Sequence, residues 1–261
     1  MEIEFYKYQG TGNDFVIIDN RSGKQDDLPA KAIRHLCDRK FGIGADGLML
    51  MNTKSGYDFE MIYYNSDGRP GSMCGNGGRC MVRFAKQIGI IKASYSFMAS
   101  DGPHEAEIDP DNTVRLKMKD VMEVNSHPAY AVLNTGSPHY VKYSTDVRQM
   151  DVFKKGHEIR NSREFEEEGI NVNFVESTGA YSIFMRTYER GVEAETLSCG
   201  TGVTAAALMS AHNDRGFNEV KVQTPGGDLS VEFIKTGDHS FSEIRLCGPA
   251  ELVFKGSIQI V

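Results

Sequence analysis

The chain has 261 residues, 40% of them hydrophobic and 25% charged, and a net charge of −7. This is the make-up of a soluble globular protein of one large or two ordinary domains. It excludes a basic nucleic-acid surface, and no apolar run approaches the ~20 residues of a membrane span. The opening MEIEFYKYQG lacks the features of a secretory signal, and five cysteines without paired spacing read as free thiols, so a cytoplasmic protein is expected.

In chain order, IEFYKYQ, the Gly-rich GTGND and the apolar FVIID read as strand, loop and strand. DDLPAKAIRHLCDRK predicts a helix capped by Asp27, with Pro29 in its first turn and Ala32, Ile33, Leu36 and Cys37 on one face. GLMLMN and YDFEMIYYN are strand-like around a TKSG turn. SMCGNGGRC then leads into a helix predicted over Gly78–Ile88. HEAEID and TVRLKMKDVMEV alternate as a hairpin around PDN, and EFEEEG at 164–169 reads as a solvated face. LSCGTGVTAAALMSAH repeats the arrangement of a cysteine before a helix. The last part of the chain reads mostly as strands broken by TPGG, KTGD and CGPA.

An internal repeat ties these pieces together. TGNDFV from Thr11 matches TGSPHYV from Thr135, and GIGADG from Gly42 falls opposite GINVNF from Gly169. MIYYN from Met61 matches MRTYE from Met185, and CGNG from Cys74 matches CGTG from Cys199. The near-constant spacing predicts two copies of one α/β unit, each a mostly antiparallel sheet around a Cys-headed helix, with the boundary within 118–130.

The first amides of a helix lack internal acceptors and, with the macrodipole, form a site for anions. The same field stabilises a thiolate, and glycines let a ligand approach the backbone. Two facing CGxG helix mouths therefore suit proton removal and return at the α-carbon of an amino acid, one sulfur on each face, without a cofactor. Cys37, Cys80 and Cys247 read as small buried apolar residues. No metal site is expected, because CxxC-type spacing is absent. GIGADG formally matches GxGxxG, but a helix precedes it and an apolar run follows, the reverse of a dinucleotide fingerprint.

GTGNDF, YNSDGRPGSMCGNGGRC, GINVNF, YERGVEAETLSCGTG and GPAELVFKGSI, in that order, resemble the diaminopimelate epimerase family. The resemblance implies an α+β fold of two pseudo-symmetric domains, each a mostly antiparallel sheet or barrel around a central helix. It places the active site in the interdomain cleft. The domains would span 1–118 plus 251–261, and 119–250. It implies epimerisation of LL-2,6-diaminopimelate to the meso isomer, for lysine and peptidoglycan precursor synthesis, with Cys74 and Cys199 as the acid/base pair. The amides of Gly75, Asn76, Gly200 and Thr201 would hold the reacting carboxylate. Asn13, Asn65, Asn171, Glu189 and Arg190 would bind the ammonium groups and the distal carboxylate. Ser137 and His139 are further pocket candidates. The partner is a small-molecule amino acid, and a homodimer is a family expectation. The alternative is a proline or hydroxyproline racemase or epimerase of the same fold, whose first Cys block is expected to carry histidine where this chain has Asn76. Three departures from the family pattern stand out. Ser137 replaces an asparagine, Gly47 replaces a glutamine found in some members, and the stretch Glu189–Cys199 is one residue longer than in some.

Overall fold

The structure is a computed structural model, described here for residues 2–260. It divides into two compact units, Met1–Leu116 with Pro249–Val261, and Lys117–Gly248. No helix among the described residues is long and apolar enough to cross a membrane.

The first unit contains β1 (Glu2–Gly10), β2 (Asn13–Asp19), α1 (Ala30–Cys37), β3 (Gly47–Asn52), β4 (Phe59–Asn65) and α2 (Gly75–Gln87). It continues with β5 (Ser94–Ala99), β6 (Gly102–Ile108) and β7 (Val114–Lys117). The second unit contains β8 (Val124–Ser126), β9 (Ala131–Asn134), β10 (Pro138–Tyr143), α3 (Val152–Arg160), β11 (Asn171–Gly179) and β12 (Ser182–Glu189). After these come β13 (Ala194–Thr196), α4 (Gly200–Met209), β14 (Gly216–Thr224), β15 (Gly227–Lys235) and β16 (Phe241–Gly248). The last strand, β17 (Glu251–Gln259), lies antiparallel to β1 with Glu2 opposite Gln259, and so belongs to the first unit.

The strand pairing repeats. In the first unit the order is β17-β1-β2-β3-β4-β5-β6-β7, antiparallel except for the parallel pairs β2–β3 and β4–β5. In the second it is β8-β9-β10-β11-β12-β14-β15-β16, with β10–β11 and β12–β14 parallel. The short β13 hooks antiparallel onto β12. Each parallel pair is joined by a crossover, and each crossover carries a helix, as parallel strands require. Thus α1 follows β2 as α3 follows β10, and α2 follows β4 as α4 follows β12.

Burial explains the two kinds of helix. α1 is amphipathic and lays Ile33, Leu36 and Cys37 on Val16, Ile18, Leu48 and Leu50. α3 sits in the same way near Val172, Phe174 and Tyr188. α2 instead buries its first eight residues, then Phe84 and Ala85. It contacts β1, β2, β6 and β17, strands from both ends of the first unit's order, so that sheet curls around it. α4, GTGVTAAALM, is apolar on almost every side and lies in a core of Val141, Val175, Met185, Val220, Val231 and Leu246. A helix without a polar face has to be enclosed.

Candidate active site

Each unit places one cysteine at the mouth of its enclosed helix. Cys74 is the residue that caps α2, with extended backbone (φ −112°, ψ 126°), and its carbonyl accepts from Gly78 N at 2.8 Å. Cys199 caps α4 in the same conformation (φ −114°, ψ 111°), and its carbonyl accepts from Val203 N at 2.8 Å. Helical geometry leaves the first-turn amides after each cysteine, those of Gly75 and Asn76 and of Gly200 and Thr201, without an acceptor inside the helix. The dipole adds a positive potential at the same point. All five cysteines are free thiols; Cys37, Cys80 and Cys247 are buried, whereas Cys74 and Cys199 are partly exposed. Burial pushes the Cys37 and Cys80 thiols up to about 12, which leaves them inert at neutral pH.

In the first unit, the Cys74 thiol donates to Asn13 Oδ1 at 3.5 Å, and Asn76 Nδ2 donates to the same oxygen at 3.4 Å. Asn13 is held by Nδ2 donating to Asp46 Oδ2 at 2.6 Å. Behind Asp46, Arg39 bridges to Asp14 at 2.7 Å, and Lys7 reaches Asp14 at 2.7 Å. Burial alone would raise the Asp14 carboxyl, but hydrogen bonds and charge from Arg39 and Lys7 prevail and hold it at about 2. Asn65 ends β4, is exposed, and closes a turn through Asn65 N to Arg69 O at 2.9 Å.

Arg79 was not singled out from the sequence, yet it is the largest fully buried side chain. Its guanidinium reaches Thr11 Oγ1 at 3.2 Å, Gly75 O at 3.4 Å and Pro249 O at 3.5 Å. It thereby ties the first turn of α2 to the β1–β2 turn and to the residues entering β17. The signal available in the sequence was a charge inside the glycine block CGNGGRC.

In the second unit, Cys199 Sγ lies 3.4 Å from Thr201 Oγ1, and Thr201 Oγ1 lies 2.9 Å from His139 Nε2. Thr135 Oγ1 donates to Thr201 O at 2.8 Å. His139 is fully buried, and Asn173 Nδ2 meets its other ring nitrogen at 3.1 Å, so both nitrogens are engaged by protein. Burial, then the Arg190 charge, pushes the His139 pKa down to about 3. Asn171 donates to Ser137 Oγ at 2.9 Å and Pro138 O at 3.1 Å, while its Oδ1 accepts from Arg190 N at 3.0 Å. Ser137 therefore supports Asn171. Arg190 Nη1 donates to Glu168 O at 2.8 Å, and Thr196 Oγ1 donates to Glu189.

The longer stretch after Glu189 is a turn fastened by Glu193. Glu193 adopts φ 55° and donates its N–H to Glu189 O at 2.8 Å. Its carboxylate accepts from Gly191 N at 2.9 Å, Arg160 Nε at 3.1 Å and Tyr188 Oη at 3.1 Å. The turn fixes the chain that carries Glu189 and Arg190.

Two of the glycines near the helix mouths, Gly77 and Gly202, are packed against side chains. A Cβ on Gly202 would lie 2.5 Å from Asn173 Oδ1, and one on Gly77 3.1 Å from Met49 Sδ, so both face protein. In GIGADG, a Cβ on Gly42 would lie 1.8 Å from His35 O, which makes this glycine a packing residue. A Cβ on Gly47 would lie 2.4 Å from the Tyr63 ring, so the tyrosine fills the space beside this glycine. No group of His, Cys, Asp and Glu among the described residues is arranged to hold a metal ion.

Comparison with known proteins agrees with this picture. The family model described as diaminopimelate epimerase matches residues 5–124 and 131–253. A diaminopimelate epimerase of Flavobacterium psychrophilum is 49% identical over 257 residues, covering 98% of this chain and 100% of the relative. One from Chlorobaculum tepidum is 44% identical over 261 residues, covering 96% and 99%. Among solved structures, a PhzF-family phenazine biosynthesis protein of Bacillus anthracis aligns with TM-score 0.76 at 14% identity, covering all of both chains. A hydroxyproline epimerase of Agrobacterium vitis aligns with TM-score 0.67 at 14% identity, covering 98% of this chain and 92% of that one. At those identities the structures show a shared fold, an α+β architecture of two similar domains. With near-complete matches at almost half identity and two Cys-capped helices in a repeated fold, the chain belongs to the diaminopimelate epimerase family.

Proposed function

We propose that this chain interconverts LL-2,6-diaminopimelate and its meso isomer without a cofactor, with Cys74 and Cys199 as the acid/base pair. The carrying observation is that the two partly exposed cysteines, out of five, each cap an enclosed helix at equivalent places in the repeat. One sulfur, as thiolate, takes the α-proton, and the electron pair left on carbon delocalises into the carboxylate. The other sulfur, as thiol, gives its proton to the opposite face, so the pair exchanges protonation states and the product differs only in configuration. The amides of Gly75, Asn76, Gly200 and Thr201 stabilise the charge that builds on the carboxylate. Arg190 and Glu189 match the second amino-acid head, with the amides of Asn13, Asn65 and Asn171 orienting the ends. A proline or hydroxyproline ring offers nothing for that distal set to bind. The reading includes a cytoplasmic protein, acting as a homodimer in lysine and peptidoglycan precursor synthesis.

The test is NMR in D₂O with diaminopimelate, proline and hydroxyproline. Deuterium should enter the α-carbon of diaminopimelate as the isomers interconvert. Exchange confined to the ring amino acids, or absent from all three, overturns the reading.

A further inference from the structure

Lys7 is a buried cation that the acid/base chemistry does not use. It lies on β1, is 5% exposed, and donates to Asp14 Oδ2 at 2.7 Å and to Gly44 O. A lysine taken out of water costs stability unless it is paired, and an apolar residue in the same space is often as stable. Its partner belongs to a larger network. Asp14 also accepts from Arg39 Nη1 at 2.9 Å, Arg39 Nη2 at 2.7 Å and Asp46 N at 3.0 Å. Arg39 Nη2 donates as well to Asp46 Oδ1 at 2.8 Å. Arg39 thus bridges two carboxylates that would otherwise repel, and Lys7 adds a second positive charge. Burial raises Asp14, but hydrogen bonds from Arg39 and Lys7 prevail and hold it at about 2, so it stays ionised across the physiological range.

The backbone is tied at the same point. Asp46 N donates to Asp14 O at 3.0 Å, and Ser66 N donates to Asp46 O at 3.1 Å. The network ends at Asn13, whose Nδ2 donates to Asp46 Oδ2 at 2.6 Å. The two ends of an amide have nearly the same shape, so the partner decides which way it points. A carboxylate paired with arginine accepts and does not donate. The NH₂ end of Asn13 therefore faces Asp46, and Oδ1 faces the mouth of α2. There it lies 3.5 Å from Cys74 Sγ and 3.4 Å from Asn76 Nδ2.

We propose that Lys7, Asp14, Arg39 and Asp46 form a charged brace that locks the Asn13 amide, so that Asn13 meets the substrate as an acceptor for an ammonium group and not as a donor to a carboxylate. The inference rests on the reading of Asn13 as a substrate-binding residue. The four charged residues are positioning residues, and Asp46 is the one that acts on Asn13 directly. An amide able to turn over would present NH₂ to the ammonium group, which repels it, and would attract a carboxylate instead. The buried charges thereby contribute selectivity rather than stability.

The test begins with Asp46→Asn, which keeps the size and the acceptor for Arg39 but lets either amide turn. KM for diaminopimelate should rise about tenfold while kcat stays within about threefold of wild type, the pattern of a lost binding contact. Adding Asn13→Asp reverses the pair: the new amide at position 46 donates to a carboxylate at position 13, whose oxygens accept in either orientation. The double variant should recover KM to within about threefold of wild type, a rescue that a merely structural role for Asp46 does not produce. Nitrogen-15 NMR of the ligand-free protein reads the lock without turnover. One Asn13 side-chain amide proton, assigned by its loss in Asn13→Asp, should lie downfield in the wild type and move upfield in Asp46→Asn. Should Asp46→Asn fail to fold, Arg39→Lys on the exposed side of the network takes its place, because a lysine does not bridge both carboxylates as a fork; KM should then rise about threefold or more. Wild-type KM in the folded Asp46→Asn, or in the Arg39→Lys that stands in for it, overturns the brace. So does a double variant no better than Asp46→Asn, or an Asn13 amide proton unmoved by Asp46→Asn. A wild type that exchanges no α-proton sinks the functional reading, whereas a brace that fails in an active wild type leaves that reading standing.

Discussion

At the scale of single residues, the two sulfurs carry different expectations from the groups that place them. Cys74→Ser and Cys199→Ser should each lower epimerisation by about two to four orders of magnitude, the usual worth of a positioned acid or base. Each variant should still exchange the α-proton of one isomer with D₂O, the two variants choosing opposite isomers; NMR of both isomers checks this. Arg190→Ala should lower turnover of diaminopimelate by about ten- to a hundredfold, since a charged hydrogen bond contributes roughly 1.5–3 kcal/mol. Steady-state kinetics of the folded variant reads this directly. His139 gives a prediction for stability. Its pKa is about 3 in the folded chain against 6.5 for a free histidine. Between those values the unfolded chain binds a proton that the folded chain does not. Stability is therefore full above pH 6.5 and falls towards pH 3, by at most about 1.4 kcal/mol per pH unit. Melting temperature followed over that window should fall more steeply for wild type than for His139→Gln. The cysteines and their glycines were legible in the sequence because they are contiguous. The contacts from Asn173 through His139 and Thr201 to Cys199 were not, because they join β10, β11 and α4 and meet only when the strands pair.

At the scale of elements, the helices show where sequence patterns mislead. α2 begins at Gly75, three residues before the expected Gly78, because glycine at 75, 77 and 78 lowers helix propensity and enclosure by the sheet compensates. α1 begins at Ala30 with Pro29 as its cap, so Asp27 lies outside it. α3 went unread: Gly156 interrupts its pattern, although Asp151 caps it by accepting from Lys154 N at 3.0 Å. That glycine is required because a Cβ there would lie 2.3 Å from Tyr188 Cβ. The strands of the final stretch were legible, since β14 and β15 alternate buried and open positions and all three strands, β14 to β16, lie between plain turn signals. The same packing logic gives a test at the mouth of α4. Gly202→Ala should displace Asn173, because the new methyl would sit 2.5 Å from its Oδ1. The expected loss is about 1–3 kcal/mol, read from denaturant unfolding.

At the scale of the molecule, the repeat is closed differently in its two halves. In the second unit β8 covers the outer edge of β9 from just upstream, whereas in the first β17 covers β1 from the far end of the sequence. Removing residues 251–261 should leave β1 with an unpaired edge, a template for association with other chains. Size-exclusion chromatography of the truncated chain should show aggregates where the full chain gives a single species. The order in which the halves can be completed follows from the same strand. All strands of the second unit lie between Val124 and Gly248, while β1 must wait for residues made almost 250 positions later. At typical rates of synthesis the wait is on the order of ten to fifty seconds. The half translated second therefore has all of its strands before the half translated first, which stays open-edged and in need of protection until β17 is made.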